Sequence, residues 1–465
     1  MLFPTIEFAI FFPVALALSW LLMPRQKLWK PYIIIASYVF YAAANPKFCL
    51  LLGGITIGNQ IAAKLIEASP GERRRKWITG IAVAGNLALL GVFKYYSFFV
   101  QDWANLLEKF HLGAPAPLLT IALPIGVSFF TFQAITYVVD VKRGDAKTAT
   151  TTDLAIYLSF FPHLIAGPIV RASEFLPQLK APRDPNRVAV GAGLALVGIG
   201  LVKKVLIADY LARVLVDPVF GVPQAYAAPD ALLAAYGYAV QIYCDFSGYT
   251  DIAIGLALLM GFIFPQNFNR PYRATGFRDF WRRWHMTLSR FLRDYVYIPL
   301  GGSHGTRLFT YRNLMVTMLL GGLWHGAAWT FVLWGGFQGA GLVAEHALNG
   351  RIGRRTPAWF RWFGTFNLVV LGWILFRSQS LEQFWDYIGR FFVAGPATLL
   401  TLPVLLSILV VIGAQLLPEK PMERLQIRIE QLNPMILAVA LAFTILVVGA
   451  TVPSQGVPPF IYFQF

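Results

Sequence analysis

The sequence is poor in charged residues and nearly free of cysteine. Charged side chains make up 13% of its 465 residues, and the two cysteines, Cys49 and Cys244, both lie in apolar segments. Two isolated cysteines exclude a disulfide framework and a zinc-binding spacing of ligands. A chain with this little charge and 57% hydrophobic residues is not an ordinary soluble protein. The composition therefore predicts an all-α, polytopic membrane protein.

Acidic residues are scarcer than basic ones, 23 against 39, which gives a formal net charge of +16. No nucleic-acid-binding motif accompanies this excess, so no nucleic-acid partner is predicted. The basic residues cluster instead in short loops between apolar runs, as they do in the cytoplasmic loops of membrane proteins. The charge pattern therefore predicts that membrane lipids surround the chain.

The first apolar run of the sequence is not expected to be a cleavable signal peptide. No basic side chain precedes this run, 6–22, whereas Arg25 and Lys27 follow it. Following the basic loops from there predicts a single integral membrane domain over residues 1–465, with both termini extracytoplasmic. This domain is predicted to cross the membrane about ten times and to contain two re-entrant segments. The predicted crossings are 6–22, 32–44, 48–66, 77–100, 118–139, 188–208, 231–262, 366–376, 398–416 and 433–452.

The stretch 279–334 holds two histidines in unusual settings. His285 lies within DFWRRWHMTLSRFLRD, and His325 lies within LLGGLWHGAAW. At about 100° per residue, one continuous helix through the first segment has an apolar face, a basic face and His285 at the edge of the apolar face. The sequence therefore predicts an amphipathic helix in a membrane interface. Its apolar face holds Trp281, Trp284, Leu288, Phe291, Leu292 and Tyr295, and its basic face holds Arg282, Arg283, Arg290 and Arg293.

The arginines of this predicted helix have two interpretations. They mark a cytoplasmic surface, because basic residues collect on that side of a membrane. They also suit an anionic ligand, because a guanidinium group binds phosphate through paired hydrogen bonds. The first interpretation does not exclude the second.

His325 lies inside a run that otherwise has the composition of a membrane-embedded segment. The segment 313–348 would extend about 54 Å as one helix, whereas two crossings need about 60 Å. Basic residues nevertheless follow its far end, at Arg351, Arg354 and Arg355. Glycines flank the histidine, so we expect a broken helix that enters the membrane and returns. An ionisable side chain at that depth indicates a function; the alternative is a core histidine bonded to a neighbouring carbonyl.

Several other polar features have structural interpretations. Segment 154–170 is apolar but basic on both flanks, so we expect a re-entrant loop with His163 bonded within it. Lys203 and Lys204 should face protein or extend to the interface. Residues 301–305 match G-x-S-x-G, but a polar loop does not form a nucleophile elbow. Polar residues of the crossing 231–262 should face the helix bundle, for interhelical hydrogen bonds or for substrate contact. They are Gln241, Asp245, Ser247, Tyr249 and Asp251.

Six motifs spread along the chain are specific in combination. They are FFPHLIAGP (160–168), DFSGYTDIAIG (245–255), FWRRWH (280–285), YRNL (311–314), LLGGLWHG (319–326) and PFIYFQF (459–465). In this order they resemble the membrane-bound O-acyltransferase (MBOAT) family, in particular its bacterial branch of alginate O-acetyltransferase membrane subunits. The resemblance implies an MBOAT-like fold and transfer of an acetyl group from cytoplasmic acetyl-coenzyme A, with no permanently bound cofactor and no metal.

The resemblance also implies an active site. His325 corresponds to the near-invariant catalytic histidine of the family and His285 to its second active-site histidine. A histidine is a natural general base near neutral pH, so we assign that role to His325. For His285 we expect positioning or oxyanion stabilisation, and an acyl-histidine is a less favoured variant. Expected substrate contacts are Arg282, Arg283, Trp284, Trp324, Asp245, Ser247, Tyr249 and Asn313.

A polysaccharide acceptor needs a long polar groove, which the short predicted extracytoplasmic segments do not offer. The resemblance implies a periplasmic SGNH-type acetyltransferase as partner, within a polysaccharide-biosynthesis complex. The acceptor stays open among cellulose, alginate, another exopolysaccharide and peptidoglycan. The aromatic stretch 460–465 is expected either to dock this partner or to anchor the chain at the interface. A transporter or flippase of the acyl donor or of a polysaccharide lipid is the alternative, but it does not account for the two histidines and their flanks.

Overall fold

The computed structural model describes residues 1, 3–110, 123–348, 356–451 and 461. Within these residues the regular structure is helical and no strand occurs, which confirms the all-α prediction. The longer helices are α1 (Ile6–Leu22), α2 (Gln26–Ala42), α3 (Pro46–Ala68), α4 (Glu72–Lys109), α5 (Val127–Arg143), α6 (Thr151–Ser159), α7 (Val190–Gly221), α8 (Ala228–Leu259), α9 (Phe277–Trp281), α10 (Met286–Leu292), α11 (Arg307–His325), α12 (Trp329–Leu348), α13 (Ala358–Arg377), α14 (Leu381–Arg390), α15 (Leu402–Leu416), α16 (Glu419–Glu430) and α17 (Pro434–Thr451). Shorter helical turns are Phe161–Leu164, Ala172–Phe175, Leu176–Leu179, Pro185–Arg187, Pro223–Ala225, Pro271–Arg273 and Arg293–Tyr297.

The helix ends follow from local sequence. The side chain of Thr306 caps α11 by accepting a hydrogen bond from the Phe309 amide at 3.4 Å. Ser380 caps α14 in the same way, with the Gln383 amide at 3.1 Å. Such side chains stabilise a helix because its first amides have no partner within the helix.

Six helices within the described residues are long and apolar enough to cross a membrane. They are α3, the first 25 residues of α4, α7, α8, α13 and α17. The apolar helices α1 and α15 are shorter, with 17 and 15 residues. These eight overlap eight of the predicted crossings, and the 17-residue helices α2 and α5 overlap the other two. The number of about ten crossings stays a prediction.

The chain forms two compact units. The N-terminal unit contains Met1–Ala189 and Leu256–Phe264, and the C-terminal unit contains Val190–Gly255 and Pro265–Phe465. The single integral domain over 1–465 stays a prediction. In the N-terminal unit, α3 packs against α4, α5 and α6. The buried amides of Asn59 and Asn86 donate to each other's oxygens at 3.1 and 2.8 Å, which ties α3 to α4.

The segment around His163 is interrupted. Helix α6 ends at Ser159, and a short helix, Phe161–Leu164, follows. The His163 ring is completely buried, with Nε2 2.8 Å from the carbonyl oxygen of Tyr157. This contact confirms that His163 is bonded within the segment, whereas the re-entrant course stays a prediction.

Helix α7 in the C-terminal unit is longer than the predicted crossing 188–208, which ends too early. The helix continues to Gly221 through two π-helical stretches, Val202–Ala208 and Ala212–Val216. Its polar residues did not end it because carboxylates neutralise the two lysines. The Lys203 ammonium lies 2.6 Å from Asp251. The Lys204 ammonium lies 2.8 Å from Asp209 and 2.5 Å from Asp245, which confirms that both lysines face protein.

Helices α11 and α12 form a hairpin, which confirms the predicted break within 313–348. Their axes approach closely at two glycines. A Cβ atom at Gly322 would lie 2.3 Å from the Phe331 carbonyl oxygen, and one at Gly335 would lie 2.4 Å from that of Met318. The hairpin therefore requires glycine at both positions. The predicted cytoplasmic arginines Arg351, Arg354 and Arg355 lie outside the described residues.

Candidate active site

His285 lies at a sharp break between two short helices. Helix α9 ends at Trp281 and α10 begins at Met286, and His285 between them has a left-handed backbone with φ of 43°. The predicted continuous amphipathic helix over 279–294 is therefore wrong. Hydrogen bonds to a distant segment of the chain break the helix here. The Met286 amide donates to the Asn267 carbonyl at 2.9 Å, and the Asn269 amide donates to the Arg283 carbonyl at 2.9 Å.

The His285 ring is completely buried. Its Nδ1 atom lies 3.1 Å from Oδ1 of Asn267. Its Nε2 atom has no hydrogen-bond partner within the described residues. Desolvation lowers the pKa of this imidazole from 6.5 to about 3, so the ring is neutral at pH 7.

His325 is the last residue of α11, at the turn of the hairpin. The residue after it, Gly326, is extended, with φ of −158°. A Cβ atom there would lie 2.1 Å from the Phe331 ring, so the turn requires glycine. The His325 side chain is 2% exposed, and its ring centroid lies 5.0 Å from that of Trp334 and 5.4 Å from that of Phe376. The histidine is thus enclosed by buried aromatic rings.

The Trp324 indole links the two histidines. Its ring centroid lies 4.9 Å from that of His325 and 6.2 Å from that of His285. The indole is 5% exposed. The structure therefore brings together three of the residues that the sequence predicted for the active site, and it does so within the C-terminal unit.

Trp284 packs into an aromatic core beside this site. Its ring centroid lies 4.8 Å from that of Trp373, 5.0 Å from that of Phe268 and 5.7 Å from that of Phe280. The side chain is 1% exposed. These contacts give Trp284 a supporting position under His285, and its predicted substrate contact stays a prediction.

Of the five predicted polar residues of α8, four are buried and Asp251 is half-buried, and Asp245 is engaged by other groups. Its Oδ1 atom lies 2.5 Å from the Lys204 ammonium, and its Oδ2 atom accepts the Ile461 amide at 3.0 Å. Ser247 and Tyr249 are 1% and 0% exposed. The predicted orientation toward the helix bundle is therefore confirmed, and their substrate contact stays a prediction. Apart from Ile461, which is buried, the aromatic stretch 460–465 lies outside the described residues.

Asn313 is buried beneath the loop that precedes α11. Its Nδ2 atom donates to the Gly302 carbonyl at 2.9 Å, and its Oδ1 atom accepts from Arg312 at 2.8 Å. The Nδ2 group thus holds the loop that contains the G-x-S-x-G match, and Arg312, which Oδ1 binds, donates to the Leu300 carbonyl at 3.3 Å. The loop is formed of turns, as predicted. A substrate contact of Asn313 stays a prediction.

A cleft of about 1550 Å³ opens beside the two histidines' helices. Met286 and Met318 line it, but neither histidine does. We call it the arginine cleft, because its wall within the described residues holds five arginines and one glutamate, Glu345. The arginines are Arg278, Arg282, Arg290, Arg293 and Arg361.

The two predicted donor-binding arginines differ in position. Arg282 is exposed and lines the arginine cleft. Arg283 is not part of the cleft wall, and its Nε atom donates to Asp279 at 2.8 Å. Helical periodicity alone did not separate them, because α9 ends at Trp281 and neither arginine lies within a helix.

Sequence reasoning missed several residues of the site. Asn267 bonds His285, and Phe246 packs edge-on against its ring with centroids 4.6 Å apart. Trp334 and Phe376 enclose His325. Phe246 lies within the DFSGYTDIAIG motif, which was a usable signal. Asn267 lies 18 residues before the histidine and outside every quoted motif, so only its proximity in the fold reveals it.

The sequence profile of the MBOAT, membrane-bound O-acyltransferase, family matches residues 130–381, which include both histidines. The chain is 43% identical over 390 residues to the "probable alginate O-acetylase" of Pseudomonas aeruginosa, covering 83% of this chain and 74% of that protein. It is 38% identical to the peptidoglycan O-acetyltransferase of Helicobacter pylori, over 77% of this chain and 72% of that protein. It is 27% identical to the teichoic acid D-alanyltransferase of Streptococcus thermophilus, over 63% of this chain and 79% of that protein.

These similarities decide between the two classes of protein that the sequence suggested, an acyltransferase and a transporter or flippase. The relatives are named for acyl transfer to cell-envelope polymers, and the family match extends over more than half of the chain. The apolar helices agree with a membrane location. The chain therefore belongs to the membrane-bound O-acyltransferase family and is a membrane O-acyltransferase.

Proposed function

We propose that this enzyme takes an acetyl group from acetyl-coenzyme A on the cytoplasmic side and delivers it for O-acetylation of an extracytoplasmic polysaccharide. The observation that supports this most directly is the arginine cleft beside two buried histidines in one unit. The cleft has room for a large anionic donor, and the histidines supply the acid–base chemistry.

The charge of the arginine cleft favours a donor that carries phosphates. Five arginines face one glutamate along the wall within the described residues. Arg361 Nε is buried there without a hydrogen-bond partner in the described chain. Guanidinium groups bind phosphate through paired hydrogen bonds, which are strengthened when the site is partly shielded from water. The phosphates of coenzyme A fit this wall.

The size of the space around His325 favours a short acyl group. Trp324, Trp334 and Phe376 surround the imidazole at ring-centroid distances of 4.9, 5.0 and 5.4 Å. All three rings are at least 95% buried. Such close packing resists the enlargement that a long acyl chain would need. The names of the O-acetylase relatives agree with an acetyl group.

The proposed chemistry is a direct acyl transfer. A neutral histidine, assigned to His325, takes the proton from an acceptor hydroxyl as that oxygen attacks the thioester carbonyl. The new C–O bond forms, the C–S bond breaks, and the proton passes from the imidazole to the departing thiolate. Neutral imidazole is the form that this step requires.

The acceptor side is proposed to work through a periplasmic SGNH-type acetyltransferase in a polysaccharide-biosynthesis complex. Two relatives are named as a probable alginate O-acetylase and a peptidoglycan O-acetyltransferase, which supports a polysaccharide as the final acceptor. The segment between α13 and α15 contains one short amphipathic helix, α14. In this proposal the partner supplies the surface that binds the polymer.

The proposed orientation places the enzyme in a bacterial inner membrane with both termini extracytoplasmic. The basic first turn of α4, with residues 73–76, is then cytoplasmic. Arg74 in this turn is exposed, so a cysteine at that position should react with a membrane-impermeant label only from the cytoplasmic side. Labelling from the outside would reverse the proposed orientation.

The donor proposal is tested with purified enzyme in lipid nanodiscs and acetyl-coenzyme A labelled in the acetyl group. Arg282→Gln should raise KM for the donor about tenfold, the loss of one charge-assisted hydrogen bond, with little change in kcat. The matched control is Arg307→Gln, because Arg307 is exposed and lies outside the cleft wall. Equal effects of the two substitutions, or no thioester turnover by the wild type, would reject acetyl-coenzyme A bound in the arginine cleft.

The partner proposal is tested by reconstitution. The enzyme alone should turn over the donor slowly and leave a soluble polysaccharide unmodified. Adding the periplasmic transferase encoded with it should produce acetylated polymer. Efficient acetylation of the polysaccharide by this chain alone would reject a relay through a partner.

A further inference from the structure

Asn267 makes an unusual set of contacts around His285. Its carbonyl oxygen accepts the Met286 amide at 2.9 Å. Its side-chain Oδ1 atom lies 3.1 Å from His285 Nδ1, 3.2 Å from the Thr287 amide and 2.9 Å from the Thr287 hydroxyl. Asn267 and His285 are both completely buried. One side chain thus organises the whole turn that carries the histidine.

These contacts identify the atoms of the amide group. The oxygen and nitrogen of an asparagine side chain are distinguished by their hydrogen-bond partners. The Thr287 main-chain amide can only donate, so the atom that it faces must be the carbonyl oxygen, Oδ1. An oxygen of this kind only accepts, and therefore Nδ1 of His285 must carry the proton that it donates to Asn267.

We propose that Asn267 is a positioning residue that holds His285 in the Nδ1–H tautomer, leaving the Nε2 lone pair free to accept a hydrogen bond from a substrate group while His325 removes the proton of the acceptor hydroxyl. This proposal rests on the proposed function for the role of the lone pair, whereas the tautomer follows from the hydrogen bonds alone. In a neutral imidazole only one nitrogen carries hydrogen. His285 is then a hydrogen-bond acceptor at Nε2, which replaces the oxyanion-stabilising role expected from the sequence.

Two further observations support a functional role. Asn267 Nδ2 and His285 Nε2 are both buried without a hydrogen-bond partner within the described residues. Unpaired buried polar atoms are uncommon in folded proteins, and a catalytic role is one of the explanations for them. His285 also has φ of 43°, a left-handed conformation that is costly outside glycine and is retained at functional sites.

The surroundings of His285 support the same assignment. Phe246, Phe268 and Trp324 present aromatic rings to the imidazole, at centroid distances of 4.6, 6.4 and 6.2 Å. An apolar enclosure disfavours the charged imidazolium, and burial lowers the pKa of His285 to about 3. The ring is therefore kept neutral, and its tautomer decides which nitrogen is basic.

The direct test is nitrogen NMR of the wild-type enzyme labelled with ¹⁵N-histidine, with His285 assigned by its absence in His285→Gln. Chemical shifts and one-bond N–H couplings show which ring nitrogen is protonated. We expect a protonated Nδ1 and an unprotonated Nε2. A proton on Nε2 in the folded wild type would overturn the assignment, and this readout does not depend on acyl transfer.

Substitutions at Asn267 test the positioning role, with Thr287→Val as the matched control. Asn267→Ala removes the acceptor, so we expect the ring to populate the Nε2–H tautomer and kcat to fall about 10²-fold with little change in donor KM. Asn267→Asp retains an acceptor and should keep the Nδ1–H tautomer and more activity than Asn267→Ala. Thr287→Val removes only the hydroxyl that shares Oδ1, so it should change neither the tautomer nor kcat.

The outcomes discriminate between the possible failures. An equal loss of kcat in Thr287→Val and Asn267→Ala, with the tautomer unchanged in both, would show that Asn267 only braces the turn. An Nδ1–H ring in the wild type that shifts in Asn267→Ala without any effect on transfer would overturn the positioning role. Absence of acetyl transfer in the wild type, with the tautomer as expected, would reject the proposed function and leave the tautomer assignment standing.

Discussion

His163 and His285 are both completely buried, and each has one bonded ring nitrogen and one without a partner in the described residues. They differ in what surrounds them. His163 lies in a short helix, bonds the Tyr157 carbonyl and packs against the rings of Phe160, Phe175 and Phe264. The contacts of His163 are those of a core residue.

His285 has a left-handed backbone and bonds a side-chain amide instead of a main-chain carbonyl. It shares the Trp324 indole with a second histidine, and the residue after it lines the arginine cleft. Burial and an unpaired nitrogen are therefore not sufficient to identify a catalytic histidine. Backbone strain, a dedicated side-chain partner and a neighbouring cleft are the distinguishing features.

The largest effect is expected from removing the imidazole of His325. His325→Ala should lower acyl transfer about 10³-fold, because a general base contributes about 10²- to 10⁴-fold to the rate. His163→Ala should reduce the yield of folded protein but leave kcat of the folded fraction near that of the wild type. The measurement is donor turnover per folded enzyme, with folding checked by size-exclusion chromatography in detergent.

The second effect concerns His285 itself. His285→Ala should lower kcat about 10²-fold, as expected when a group that positions the substrate by a hydrogen bond is lost. Binding of coenzyme A, measured by calorimetry, should be retained because His285 does not line the arginine cleft. Equal activity of the His285→Ala and His163→Ala variants would remove the distinction between the two histidines. A parallel loss of donor binding would make His285 a structural residue.

The sequence predicts the apolar helices well because their signal is local. Helix α3 spans Pro46–Ala68, against 48–66 predicted, and α17 spans Pro434–Thr451, against 433–452. Helix α7 was predicted too short because Asp209 resembles an ending when read alone, whereas it pairs with Lys204 within the helix. The lysines were predicted to face protein, but not which residues they would pair with. Their carboxylate partners Asp245 and Asp251 lie on another helix, and only the fold shows this pairing.

The central residues of the site could be predicted from the sequence, whereas the residues that support them could not. His285, His325 and Trp324 follow from family motifs, and the structure brings them together. The break at His285 was not predictable, because helical periodicity continues through it and the partner that breaks it, Asn267, comes from a distant segment. Tertiary hydrogen bonds overrode the local helical preference.

The third prediction concerns the scaffold that carries His325. Gly335→Ala places a Cβ atom 2.4 Å from the Met318 carbonyl oxygen, so the hairpin must open. We expect destabilisation by about 1–3 kcal/mol, as for overpacked cores, and a several-fold loss of kcat. Gly336→Ala is the matched control, because its Cβ atom would meet Leu319 at 3.5 Å, an ordinary contact. Similar thermal stability of the two variants would show that close helix packing does not position His325.

The smallest effect is the pH dependence that His285 adds to stability. Burial lowers the pKa of this imidazole in the folded enzyme to about 3, below its ordinary value of 6.5. As the pH falls below 6.5, the unfolded chain takes up a proton that the folded enzyme does not, so the stabilisation present above pH 6.5 is lost progressively toward pH 3. The loss is at most about 1.4 kcal/mol per pH unit. Denaturant titrations of the wild type and His285→Asn in the same detergent should give free energies of unfolding that differ in slope within this window and run parallel above pH 7. Equal slopes throughout this window would show that burial does not lower the pKa of the His285 imidazole in the folded enzyme. The ring would then be partly protonated near neutral pH, and its Nε2 lone pair would be partly occupied.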